Sequence, residues 1–144
     1  MHSYVFIFSY SLFILLMIYP TEINGNEWQC DNANHNQGTF QRSSDCTMTS
    51  SHMEISQTLE VTGINADINY LVTISAATNR RHFYLNDANA KLTLRYIKLI
   101  GGNVDANSAD NINLYYGGSI YINKGADGGE LNLFTIIMFN NKAV

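Results

Sequence analysis

The residues best suited to chemistry in this 144-residue chain are its scattered acids, four histidines and two cysteines. Cleavage of a polysaccharide uses clustered carboxylates, often with Ca²⁺ or a basic residue beside them. The candidates here are Asp105, Asp110 and Asp127 with Arg80 and Arg81. None of these acids falls in a D-x-D calcium pattern, and no spacing sets two of them on one outward column of a strand, so they read as solvated loop residues. The histidines are dispersed: His2 lies at the amino terminus, His82 reads as the start of a strand, and no Ser/His/Asp arrangement follows from the spacing. The expectation is therefore no catalytic residue, no metal and no cofactor.

Cys30 and Cys46 are the only cysteines, with fifteen residues between them. An oxidising compartment favours joining them, and closing a loop of that size stabilises the fold by about 3 kcal/mol. The enclosed stretch, Asp31–Asp45, is polar and lacks periodicity, so the bridge is expected to supply order that burial cannot. His35 near Cys30 raises a metal reading, but the short Cys-to-Cys spacing of zinc sites is missing.

Export is suggested at the amino terminus. Residues 5–19 are a nearly continuous apolar run closed by Pro20. At that length the run is short for a membrane span of about 20 residues and fits a secretory core, although no Lys or Arg precedes it. The expected organisation is a signal peptide over 1–25, cleaved between Gly25 and Asn26, a disulfide-tied cap over 26–52, and strand rungs over 53–144 that stop short of a finished fold. The competing reading is an uncleaved anchor, the one membrane attachment the sequence suggests. No N-x-Ser/Thr sequon is present, so a secreted or cell-surface product would carry no N-glycan. The net charge of −4, with eight Lys and Arg forming no cluster beyond Arg80-Arg81, argues against a nucleic-acid footprint. Eighteen asparagines against a single proline suit a chain of short strands and many left-handed corners.

The elements that would position these residues are short alternations of period two. They occur in three sets of like order: Met53–Ile55, Leu59–Val61 and Val72–Ile74; Phe83–Leu85, Leu92–Leu94 and Ile97–Leu99; Ile120–Ile122, Leu131–Leu133 and Ile136–Met138. Between the second and third sets, Asn103–Tyr116 reads as a polar insertion. If each set makes one turn of a coil, neighbouring turns run parallel about 4.8 Å apart and alternate residues share an interior. The inward columns would be Leu59, Leu92 and Leu131; Val61, Leu94 and Leu133; and Ile74, Leu99 and Met138.

Two short motifs carry a resemblance. Gly117-Gly118-Ser119-Ile120 resembles the Gly-Gly-Ala-Ile repeat of the polymorphic outer-membrane-protein family, with Ser119 in the Ala position. Met138-Phe139-Asn140-Asn141 resembles that family's Phe-x-x-Asn partner motif, with Met138 in the Phe position and Asn141 as its Asn. The resemblance spans roughly residues 53–143. It implies an all-β, right-handed parallel β-helix of the pectate-lyase-like type, here about three rungs behind the disulfide-closed loop, and says little about activity.

The outward columns suggest binding. Glu54, Tyr84 and Tyr121 would stack on one outer face near Tyr115 and Tyr116, an aromatic strip able to lie against sugar rings or a partner protein. Parallel aromatics also simply stabilise a sheet. A second outward column, Thr73, Lys98 and Ile137, ends apolar, and Phe139 should also face out, giving a last rung open to self-association. The function expected is a secreted, non-catalytic, adhesin-like module binding glycan or an extracellular protein. The alternatives are a fragment of a polysaccharide lyase or hydrolase, or a structural extracellular protein.

Overall fold

In strands stacked in parallel, each residue sits over its counterpart in the next layer, so apolar positions bury only if they recur in register. The computed structural model describes residues 26–49, 52–104, 118–123 and 129–143. Strand is the main regular structure there, covering about half of the described residues, with two one-turn helices at Ala33–His35 and Ile68–Tyr70. The strands are β1 (Gly38–Arg42), β2 (Cys46–Thr47), β3 (Met53–Ile55), β4 (Thr58–Gly63), β5 (Val72–Ser75), β6 (Phe83–Leu85), β7 (Lys91–Ile100), β8 (Asn103–Val104), β9 (Ile120–Ile122), β10 (Glu130–Phe139) and β11 (Lys142–Ala143). All pairings are parallel. One sheet runs β1-β4-β7-β5-β2 with β10 also on β7; a second is β3-β6-β9, and a third β8-β11.

The register matches the columns the alternation implies. Leu59, Leu92 and Leu131 are partners, as are Val61, Leu94 and Leu133, and Ile74, Leu99 and Met138. On the second sheet Met53, Phe83 and Ile120 stack, as do Ile55, Leu85 and Ile122. Every strand residue of these columns in β3–β7 is buried, whereas Leu133 is 38% exposed and Met138 47%, because β10 has β7 on only one side. Of the second outward column, Thr73, Lys98 and Ile137 are partners; Ile137 is half-buried and Phe139 is exposed.

Two features differ from the sequence expectation. The disulfide-closed segment carries strands. Phe40 in β1 stacks on Val61, and Cys46 in β2 on Ile74, so both columns start one layer earlier. Within this segment the apolar residues are single and widely spaced, which gives no period to read. The other difference is that Leu92–Leu94 and Ile97–Leu99 are one ten-residue strand bent at Tyr96, whose φ is +54°, and β10 repeats the bend at Thr135 with φ +52°. One left-handed residue turns the strand and resets the alternation, so Leu94 and Ile97 both point inward. Between β4 and β5 the same corner is widened to the loop 64–71, which exposes Ile64, Ile68 and Tyr70.

The Cys30–Cys46 bridge forms, tying the start of the chain to β2. Trp28 closes the same end: it is fully buried, packs near Phe83, and its Nε1 donates to the His35 carbonyl at 3.1 Å.

The column geometry sets the cost of truncation. Leu92→Ala should destabilise by about 2–5 kcal/mol, and Leu133→Ala, already part-exposed, by clearly less, as read from urea midpoints at constant m-value. Equal costs would contradict the layer order.

Candidate functional site

Outer and inner faces of β6 and β9 carry different chemistry, because alternate residues of three-residue strands point in opposite directions. Outward, Glu54, Tyr84 and Tyr121 are register partners. The two tyrosine rings stack 5.5 Å apart at an angle of 7°, and the edge of His52 meets Tyr84 at 5.4 Å and 87°. The Arg81 guanidinium, almost fully buried, lies 4.8 Å from the Tyr121 ring centre and 5.7 Å from that of Tyr84. The tyrosines therefore spend ring faces on each other, and what they present is a polar margin. Tyr84 Oη donates to Asn86 Oδ1 at 2.8 Å and accepts from Asn123 Nδ2 at 3.2 Å, which also donates to Asn86 Oδ1 at 2.9 Å. Asn86 Nδ2 in turn donates to Glu54 Oε1 at 2.8 Å. Asn86 and Asn123 did not stand out in the sequence among so many asparagines; their shared offset of two from the tyrosine column was the available signal.

Inward, immediately before β6 and β9, the structure joins His82 and Ser119, a pair that spacing did not suggest. Both are buried. His82 Nε2 lies 3.0 Å from the Ile74 carbonyl, and its Nδ1 lies 2.8 Å from Ser119 Oγ. A carbonyl only accepts, so Nε2 carries the proton; the neutral ring then accepts the Ser119 hydroxyl at Nδ1. Burial pushes the imidazole down to about 4, against the opposing pull of the Ile74 and Ile100 carbonyls. Serine and histidine are here oriented by a backbone carbonyl in a closed interior, where no substrate reaches them, so the pair acts as a cross-layer tie. The backbone reinforces it: His82 N donates to the Ser119 carbonyl at 2.8 Å.

The motif residues serve the same junction. Asn141 Oδ1 accepts from Gly102 N at 2.7 Å while its Nδ2 donates to the Leu99 carbonyl at 3.1 Å, clamping the last layer to the one before. A Cβ on Gly118 would lie 2.4 Å from the Lys142 carbonyl oxygen, and one on Gly102 would lie 2.4 Å from that of Gly118. Only glycine permits backbone to cross backbone so closely. Ile120 is half-buried on its column, and Met138 caps the Ile74–Leu99 column.

Compared with protein-family models, curated proteins and solved structures, the chain matches none. Its site must be read from its own geometry. Gly117, Asp105, Asp110, Asp127, Tyr115, Tyr116 and the apolar segment 5–19 lie outside the described residues. Arg80 and Arg81 sit beside the His82 junction. Among the described residues no three His, Cys, Asp or Glu side chains gather as a metal set, and no helix is long and apolar enough to cross a membrane.

The His82 tie makes stability depend on pH. With the folded pKa near 4 and the unfolded ring near 6.5, the unfolded chain binds the proton first on acidification. The contribution is whole above pH 6.5 and is lost progressively toward pH 4, on the order of 3 kcal/mol in total. His82→Gln should flatten that window in a series of melts; a slope identical to that of the parent chain would refute the assignment. The exposed Asp31 carboxyl, held low by the hydroxyl and amide of Thr49, acts only at still lower pH.

Proposed function

We propose that this chain is a secreted, non-catalytic binding module whose layers wind as a right-handed parallel β-helix, with the outer face of β3, β6 and β9 contacting glycan. The coil reading is supported by the parallel register, by corners repeated at Tyr96 and Thr135, and by the Asn141 clamp between successive layers, which falls at the Asn of the Phe-x-x-Asn-like motif. The extracellular reading is supported by the Cys30–Cys46 bridge, which suits an oxidising compartment, together with the signal-like run at residues 5–19.

One observation carries the binding reading. Tyr84 Oη, the amides of Asn86 and Asn123 and the Glu54 carboxylate form a connected row of donors and acceptors on one outer face, fixed by mutual hydrogen bonds and repeated at the layer spacing. Such a row meets the hydroxyls of a sugar chain without needing to be ordered on binding, which lowers the entropic cost. Amide side chains are poor nucleophiles and good hydrogen-bond partners, and the row carries one carboxylate where glycoside cleavage uses a pair, so the row favours recognition over cleavage.

Tyr84→Ala with Tyr121→Ala, and separately Asn86→Ala with Asn123→Ala, should lower glycan-array binding at least tenfold. The tyrosine pair also costs about 0.2–1 kcal/mol of sheet stability, so the asparagine pair, Asn86 exposed and Asn123 half-buried, gives a second readout that leaves the ring stacking in place. Unchanged binding by both double variants would sink the reading.

A second reading, association of copies through β10, rests on a separate observation. Among the described residues nothing pairs with the outer edge of β10, and Leu133, Phe134, Met138 and Phe139 are exposed along it. Unpaired apolar edges recruit strands. Sedimentation should then show concentration-dependent dimers at micromolar chain that Phe134→Lys abolishes; a monomer at all concentrations would exclude the association.

A further inference from the structure

Beside the tyrosine face, between the disulfide-closed segment and β3, lies a cleft of about 330 Å³. That volume is at the low end of ligand pockets, roughly 300–1,000 Å³, and suits the end of a chain better than its length. Its polar lining is Asp31, Asn36, His52 and Glu54, while Met48 and Met53, 2% and 6% exposed, close its floor and Ala33 adds a methyl at its rim. The cleft is continuous with the outer face through two residues: His52, whose edge meets Tyr84, and Glu54, which accepts from Asn86.

The carboxylates are held in place. Thr49 donates to Asp31 from its amide at 2.7 Å and from its hydroxyl, so the acid is fixed by protein donors and kept ionised. Glu54 is held through Oε1 by Asn86, and its backbone carbonyl accepts from Asn36 Nδ2 at 3.3 Å. An ionised carboxylate has about four acceptor positions, so both retain capacity for a ligand. No Lys or Arg lines the cleft among the described residues, and the chain as a whole is anionic at −4. Two fixed negative charges over an apolar floor disfavour a uronate or sulfated sugar and favour a cation with a carbon face.

Resting on the glycan reading above, we propose that the cleft seats a cationic amino sugar. Its ammonium group is accepted by Asp31 and Glu54, its ring sits over the floor that Met48 and Met53 close, and the rest of the oligomer runs outward along Tyr84, Asn86 and Asn123.

The test uses the full chain in calorimetric titrations with a glucosamine hexamer, an N-acetylglucosamine hexamer, an oligogalacturonate and oligolysine. The glucosamine hexamer should bind at least tenfold more tightly than its acetylated form, and the oligogalacturonate not measurably. Asp31→Asn, which lies outside the tyrosine–asparagine network, should remove that tenfold preference, and Glu54→Gln should do so too if loss of the Thr49 contacts makes the first variant unstable by melting. Equal affinity for both hexamers, a preference that survives both variants, or oligolysine binding as tightly as the amino sugar would overturn the assignment. If the acetylated hexamer binds and loses affinity in the Asn86/Asn123 variant while Asp31→Asn changes nothing, the outer-face reading stands and the amino-sugar cleft falls. If no glycan binds, both fall.

Discussion

Parallel register is the constraint on which the rest of this structure depends. Between layers the strand backbones bond residue over residue, so a slip of one residue would invert every side chain between core and solvent. The chain guards against slippage with fixed points that are not themselves apolar. Left-handed residues at Tyr96 and Thr135 bend successive layers at the same place, and Gly101 and Asn140 do so at the next corner. A corner that must lie over a corner permits one register. Asn141 then bonds across layers at that corner, and Gly102 and Gly118 allow the backbones to close on each other there. The motif stretch is thus a device for alignment.

What could be read from the sequence was what repeats. Three sets of alternating residues predict the columns because burial in a stacked sheet demands like positions at like offsets, and Leu59, Leu92 and Leu131 are in register as that rule requires. The first layer was hidden because it is built from single residues: Phe40 and Cys46 extend two columns, but each is surrounded by polar side chains whose partners are turns and bonds rather than core. Trp28 escaped notice for the same reason, since a lone aromatic in a polar stretch has no period. The His82–Ser119 tie was illegible for another: the two are 37 residues apart, and only the packing of two strand ends brings them together. On the outer face the Glu54, Tyr84 and Tyr121 column was legible from pleat geometry. That the rings stabilise the sheet by stacking on each other was one of the two readings the column offered, and the rings do stack; the bonds of Asn86 and Asn123 along their margin were not legible, because side-chain direction leaves no trace in residue order.

The two faces of β6 and β9 couple the core to the outer network proposed for recognition. Inward, Phe83 and Leu85 are fully buried, and His82 and Ser119 tie the approaches to both strands. Outward, Tyr84 joins Asn86, Asn123 and Glu54 in one network, with the Tyr121 ring stacked on it. A strand of three residues has little rigidity of its own. Its outer side chains keep their spacing only while the inner ones remain packed, so a buried tie a few residues away acts on the outer face without touching any ligand. Protonating His82 would put a charge in the interior and remove its acceptor for Ser119, loosening β9 against β6. The same acid range leaves the carboxylate of Asp31 ionised, since Thr49 holds it low. Loosening of the outer face would therefore precede loss of the Asp31 charge as pH falls, and the two would separate as distinct steps: the first tracks packing between layers, the second one exposed acid.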